Sequence, residues 1–150
     1  MNSNNQILYT IGFKGKSAEQ FFTLLKKAGV RILLDIRLNN VSQLAGFTKG
    51  KDLAYFVREI LGGEYVHLTL LAPTKELLKK YQKDNDWEGY ERDFLNLLES
   101  RDVASKLDLN LLNGPTVLLC SEKSAEKCHR RLVVEYIQKK LMPEFTIVHL

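Results

Sequence analysis

Residues 30–36 read VRILLDI, apolar apart from Arg31 at the start and Asp35 near the end. A run without polar alternation has no face to offer water. It belongs to a strand covered on both sides, as in a parallel sheet flanked by helices. Residues 7–11 (ILYTI) and 116–120 (TVLLC) share this character, and 65–68 and 145–149 read as two more short strands.

Amphipathic segments lie between these runs. Ser17 with Gln20 forms a capping-box pattern, followed by Phe21, Leu24, Leu25 and Ala28 at helical spacing and by Gly29 as a stop. Residues 38–51 read as a polar, basic loop containing Gly46 and Gly50. Asp52 reads as the N-cap of a second helix with the stripe Leu53, Phe56, Val57 and Ile60, stopped by Gly62-Gly63. Pro73-Thr74 opens a helix to about residue 83, and residues 87–100 read as another. Ser124 reads as the cap of a last helix, running to about residue 141 before Pro143. Strands alternating with helices predict a three-layer, Rossmann-like α/β fold. We expect a single domain over residues 1–150, with a mostly parallel sheet of about five strands.

An apolar fraction of 45% beside a charged fraction of 27% suits a globular chain with one ordinary core. No apolar run is long enough to span a bilayer, and the N-terminus shows no signal-peptide core. With two cysteines and no secretion cue, the expected location is the cytoplasm and the thiols are expected to be free. The net charge of +4 is unevenly spread: residues 1–51 are basic and residues 84–108 acidic. That asymmetry suits an anionic partner, nucleic acid included, and equally suits two solvated faces.

In parallel sheets, ligands bind beyond the carboxyl ends of the strands. Gly12, Asp35, Arg37, His67, Cys120 and Glu122 all fall at such ends. The richest segment is residues 116–131, TVLLCSEKSAEKCHRR, in which a strand, a polar loop and a helix start carry Cys120, Glu122, Cys128, His129 and Arg130. Backbone N–H groups and a helix N-terminus make such a loop an anion pocket, and a thiol facing it becomes a better nucleophile. The plain alternative for Cys120 is the last small apolar residue of a buried strand. Cys128 shares core spacing with Leu132 and Tyr136, His129 with Val133 and Ile137. Glu122 suits a general base, a holder of His129 or an arginine, or a solvated loop acid. Asp35 needs a partner in so apolar a strand, and Arg37 lies two residues on. Arg130 suits an anion but has Glu126 in reach for a local pair.

The spacing C-x-E-x5-C-H matches no usual zinc pattern, and adjacent Cys128 and His129 would point about 100° apart on a helix, so no metal is expected. Neither G-x-G-x-x-G nor G-x4-G-K-[ST] occurs, which excludes those dinucleotide and P-loop sites; no cofactor is expected.

Almost the whole chain resembles the DUF488 family of small prokaryotic α/β proteins. The likeness lies in YTIGFKGKS (9–17), LLDIR (33–37), GFTKG (46–50), EYVHL (64–68) and LLCSEKSAEKCHRRL (118–132). It implies a shared site of Asp35, Arg37, Cys120, Glu122, Cys128, His129 and Arg130. Phe13 stands where the family often has His or Tyr, and Thr69-Leu70-Leu71-Ala72 replaces a Pro-Glu-Leu-Gly-like run. A fainter similarity to rhodanese-type sulfurtransferases, an Asp-x-Arg after one strand and a Cys ending another, implies a persulfide on Cys120.

The expected function is a thiol-dependent enzyme acting on a small anionic or nucleotide-like substrate. Cys120 would be the nucleophile, Glu122 or His129 the proton carrier with Asp35 beside them, and Arg37 and Arg130 the anion holders, with Gly12 and Cys128 lining the site. The alternatives are an anion- or nucleic-acid-binding module without turnover and a sulfurtransferase using Cys120.

Overall fold

A computed structural model describes residues 6–41 and 46–150. The part of the basic loop at 42–45, and the polar start at 2–5, lie outside the described residues. The strands are β1 (Ile7–Gly12), β2 (Ile32–Asp35), β3 (Glu64–His67), β4 (Thr116–Cys120) and β5 (Thr146–His149). All pair in parallel, in the order β3-β2-β4-β1-β5.

Alternate side chains of the central strands serve two cores. Leu8, Leu34 and Leu118 face one, and Ile11, Leu33, Val117 and Leu119 face the other. This two-sided burial is why these strands carry no polar alternation. Helices α1 (Ala18–Lys27) and α2 (Gly50–Phe56) cover the second core, while α4 (Trp87–Ser100) and α6 (His129–Lys140) cover the first. Helix α3 (Lys75–Asp84) packs on α4, and α5 (Val103–Lys106) is a short turn that periodicity did not signal. The chain leaves β1 and β2 toward one layer and β4 toward the other. That divergence opens a crevice where the central strands end.

Helix α1 has the expected capping box: the Gln20 N–H donates to Ser17 Oγ at 3.1 Å and the Ser17 N–H to Gln20 Oε1 at 2.9 Å. Two other caps differ from expectation. Helix α2 starts at Gly50 behind Lys49 instead of at Asp52, because the Gly50 N–H is already taken by the Asn40 carbonyl at 2.8 Å. Helix α6 starts at His129 with Cys128 as its cap; Ser124 instead accepts the Glu126 N–H at 3.2 Å and shapes the preceding loop.

The stripe after Leu53 also shifts. Val57–Leu61 is a π-helical turn, whose wider i→i+5 step carries Leu61 inward and leaves Ile60 39% exposed. Gly62 ends it in the left-handed region at φ 62°, where a side chain would be strained. Leu61→Ala should therefore cost about 2 kcal/mol or more. Ile60→Ala should stay within about 0.5 kcal/mol. Urea unfolding of the two variants checks this, and equal losses would contradict the shift.

Candidate functional site

A cleft of about 550 Å³ opens at the carboxyl end of the sheet, between the loops after β2 and β4 and the α3–α4 hairpin. Cys120, Cys128 and His129 line its depth. Phe13, Tyr81, Trp87 and Tyr90 supply aromatic wall, and Lys14, Arg37 and Lys127 supply charge. Among the lining residues Glu122 is the sole carboxylate, and Lys14 pairs with it at 2.9 Å.

The two thiols touch. Cys128 donates its S–H to Cys120 Sγ at 2.9 Å, and His129 Nδ1 lies 3.4 Å from the same sulfur. The other ring nitrogen, Nε2, sits 2.8 Å from the Ile36 carbonyl, which can only accept, so Nε2 carries a proton and donates. Nδ1 is thereby turned toward Cys120 to accept or return a proton. Phe94 meets the imidazole edge-on, with centroids 5.6 Å apart.

These contacts bias the thiols in opposite directions. The Cys128 S–H aimed at Cys120 is the largest influence holding that thiol well below the usual range. Burial opposes it, while His129 and the Glu122 backbone N–H assist. Cys128 is pushed up by its bond to Cys120 and by burial. Burial lowers His129, but the adjacent Cys120 thiolate outweighs it and raises the imidazole. The favoured state is a Cys120 thiolate beside a protonated His129, with Cys128 as the neutral donor.

Sγ of Cys120, Sγ of Cys128 and a His129 nitrogen all lie within 4.8 Å of one another. The expected 100° divergence of Cys128 and His129 does not apply, since Cys128 precedes the helix with extended backbone (φ −140°, ψ 141°). Two thiolates on one tetrahedral zinc stand roughly 3.8 Å apart, given a Zn–S bond of about 2.3 Å. At 2.9 Å the sulfurs stand closer together than a shared zinc would hold them.

Arg130 has an internal task. Only 1% exposed, it donates to Thr10 Oγ1, to the carbonyls of Glu122 and Lys123, and to Cys128 Sγ. It clamps the 121–128 loop to β1, and its charge is spent inside the protein. Gly12 lies under the same loop: a Cβ there would sit 1.6 Å from the Glu122 carbonyl oxygen. Neither residue lines the cleft.

Asp35 is fully buried on the other side of the crevice. It accepts two bonds from the Arg37 guanidinium, each 2.8 Å, one from the Arg37 backbone N–H at 3.2 Å and one from the Tyr65 hydroxyl at 2.6 Å. Arg37 also donates to the Thr48 carbonyl at 2.6 Å and lies over the Phe13 ring. His67 Nε2 meets the Arg37 carbonyl at 2.8 Å. Asp35, Tyr65 and His67 thus hold the strap that carries Arg37 to the cleft, and do not themselves line it.

A family model, "Domain of unknown function DUF488", matches residues 17–137. The chain belongs to the DUF488 family. A search of the curated proteins and of the solved structures finds no match. The DUF488 match contains Asp35, Arg37, Cys120, Glu122, Cys128, His129 and Arg130, while Gly12, Phe13 and Lys14 precede it.

Sequence reasoning missed Lys14, Lys127, Tyr81, Trp87 and Tyr90 as cleft residues. The aromatics' one signal was their crowding around the break between two helices, in the run YQKDNDWEGY; the two lysines had none. The aromatics also pack on one another: Trp87 stacks on Tyr90 with centroids 5.3 Å apart.

Proposed function

We propose that this DUF488 protein is a thiol-dependent enzyme, with Cys120 as nucleophile and His129 as its proton partner, acting on a small anionic organic substrate held in the cleft. The observation that carries this reading is the convergence of a Cys128 S–H and His129 Nδ1 on one sulfur at the bottom of a cleft, with the Glu122 backbone N–H a further, smaller influence favouring its anion. A merely structural cysteine has no need of three partners that favour its anion. The substrate class follows from the walls: aromatic rings and Lys127, whose charge is unpaired among the described residues once Glu122 pairs with Lys14 and Asp35 with Arg37. Glu122, Arg130 and Asp35 are positioning residues in this scheme.

Two alkylating reagents of similar size test it. Iodoacetate and iodoacetamide differ by one negative charge, and an ordinary thiolate prefers the neutral reagent. At pH 6 Cys120 should be carboxymethylated at least about 10-fold faster than a free thiol, because its thiol is held below the usual range of about 8.5. Iodoacetate should match or outpace iodoacetamide at low salt and lose that advantage at high salt. His129→Gln removes the cation beside the sulfur and should move the onset of reaction to higher pH. A slow, charge-indifferent Cys120 would overturn the reading.

A further inference from the structure

The proposed nucleophile does not explain its neighbour. Cys128 has its sulfur 2.9 Å from Cys120, lines the same cleft, and sits in extended backbone just ahead of α6, outside the helix. Resting on the reading of Cys120 above, we infer that Cys128 is its resolving thiol and that the protein reduces small anionic organic disulfides at the expense of a Cys120–Cys128 disulfide.

The geometry makes each step short. The Cys120 thiolate attacks one sulfur of a substrate R–S–S–R; the substrate S–S bond breaks and a Cys120–S–S–R bond forms. The departing RS⁻ takes the proton from His129 Nδ1 and leaves as RSH. With Cys120 now uncharged, the anion that kept the Cys128 proton in place is gone, and that proton passes to the neutral imidazole. The Cys128 thiolate then attacks Cys120 Sγ, and the second RS⁻ departs with the proton from His129. The substrate gains two electrons and two protons; the protein loses both thiol hydrogens. A dithiol reductant returns the protein to its starting state by exchange. The sulfurs need close by less than about 1 Å to reach bonding distance. That contraction lies between a strand end and a helix cap, where the Cys128 side chain makes no capping bond and only its carbonyl, accepting the Arg131 N–H at 3.1 Å, is tied to the helix.

The cleft states which disulfides fit. Lys127, which makes no ion pair among the described residues, favours a carboxylate-bearing arm, and Trp87, Tyr81 and Tyr90 offer apolar contact for the remainder. Two buried cysteines serving only as packing would call for neither sulfur contact nor access to a cationic cleft.

The test is stoichiometric. Reduced protein is mixed with a slight excess of dithiodiglycolate, and the released thiol and the intact protein mass are read without reductant. Wild type should release two equivalents of thioglycolate and lose two hydrogens, with no adduct. Cys128→Ser should stop after one equivalent, with one thioglycolate retained on Cys120. Cys120→Ser should react at least about 100-fold more slowly. If either variant fails to fold, the wild-type mass still decides. A stable adduct on wild type, or no reaction, would overturn the inference. The alkylation experiment separates the two claims: fast carboxymethylation with a stable adduct removes only the resolving role, and a sluggish Cys120 removes both.

Discussion

Replacing Asp35 by asparagine should destabilise the protein by about 3–5 kcal/mol, because it strands a buried guanidinium. Asp35 has no exposed surface, and its two oxygens accept four hydrogen bonds: three from Arg37 and one from Tyr65. Asparagine has the same shape but one acceptor, and its NH2 must face a donor whichever way the amide turns. Arg37 would keep the Thr48 carbonyl and lose its counter-charge. Against a total stability of about 5–15 kcal/mol, such a loss is a large share. Urea unfolding measures it, and Tyr65→Phe supplies the scale. Removing one bond to a charged acceptor should cost about 1.5–3 kcal/mol. If Asp35→Asn costs less than Tyr65→Phe, the ion pair is not what holds the β2 strap.

Gly12→Val should cost about 3 kcal/mol or more, and should also slow Cys120 alkylation at pH 6 by about 10-fold or more. The two effects share one cause. A Cβ at residue 12 would lie 1.6 Å from the Glu122 carbonyl oxygen and 2.7 Å from Arg130 Nη1. The first of these is backbone, so the strand end and the loop must separate. Separation breaks the Arg130 bond to the Glu122 carbonyl and withdraws the Glu122 N–H from the Cys120 sulfur. The thiol then loses a partner that favours its anion, and its pKa rises. Gly46→Ala is the control, since a Cβ there meets nothing within 4 Å. It should leave both readings within error. A Gly12→Val protein with normal stability and normal thiol reactivity would show that the loop does not depend on this close approach.

Residues 30–36 and 116–120 declared doubly covered parallel strands through continuous apolarity, and both are central strands of the sheet. From that, the strand-end rule placed Arg37 and Cys120 at one rim, where both line the cleft. The end of α2 was less legible. A 3.6-residue repeat assigned Ile60 to the core, and a π turn put Leu61 there instead.

For the site, residue type and position were legible but partners were not. Arg130 looked like an anion holder because a cation beside a loop usually faces water. Its guanidinium instead meets Thr10, 120 residues away, and two loop carbonyls. Cys128 read as a core residue on a helix face with Leu132 and Tyr136; it is buried, but as the cap ahead of the helix and against Cys120. The sequence by itself determined a mostly parallel α/β sheet and a thiol at the end of one of its apolar strands, since burial patterns are written along each element. Only the tertiary structure decided which groups share that thiol's proton. Contacts such as His129 on the Ile36 carbonyl, 93 residues apart, depend on strand order and register, which no local pattern encodes.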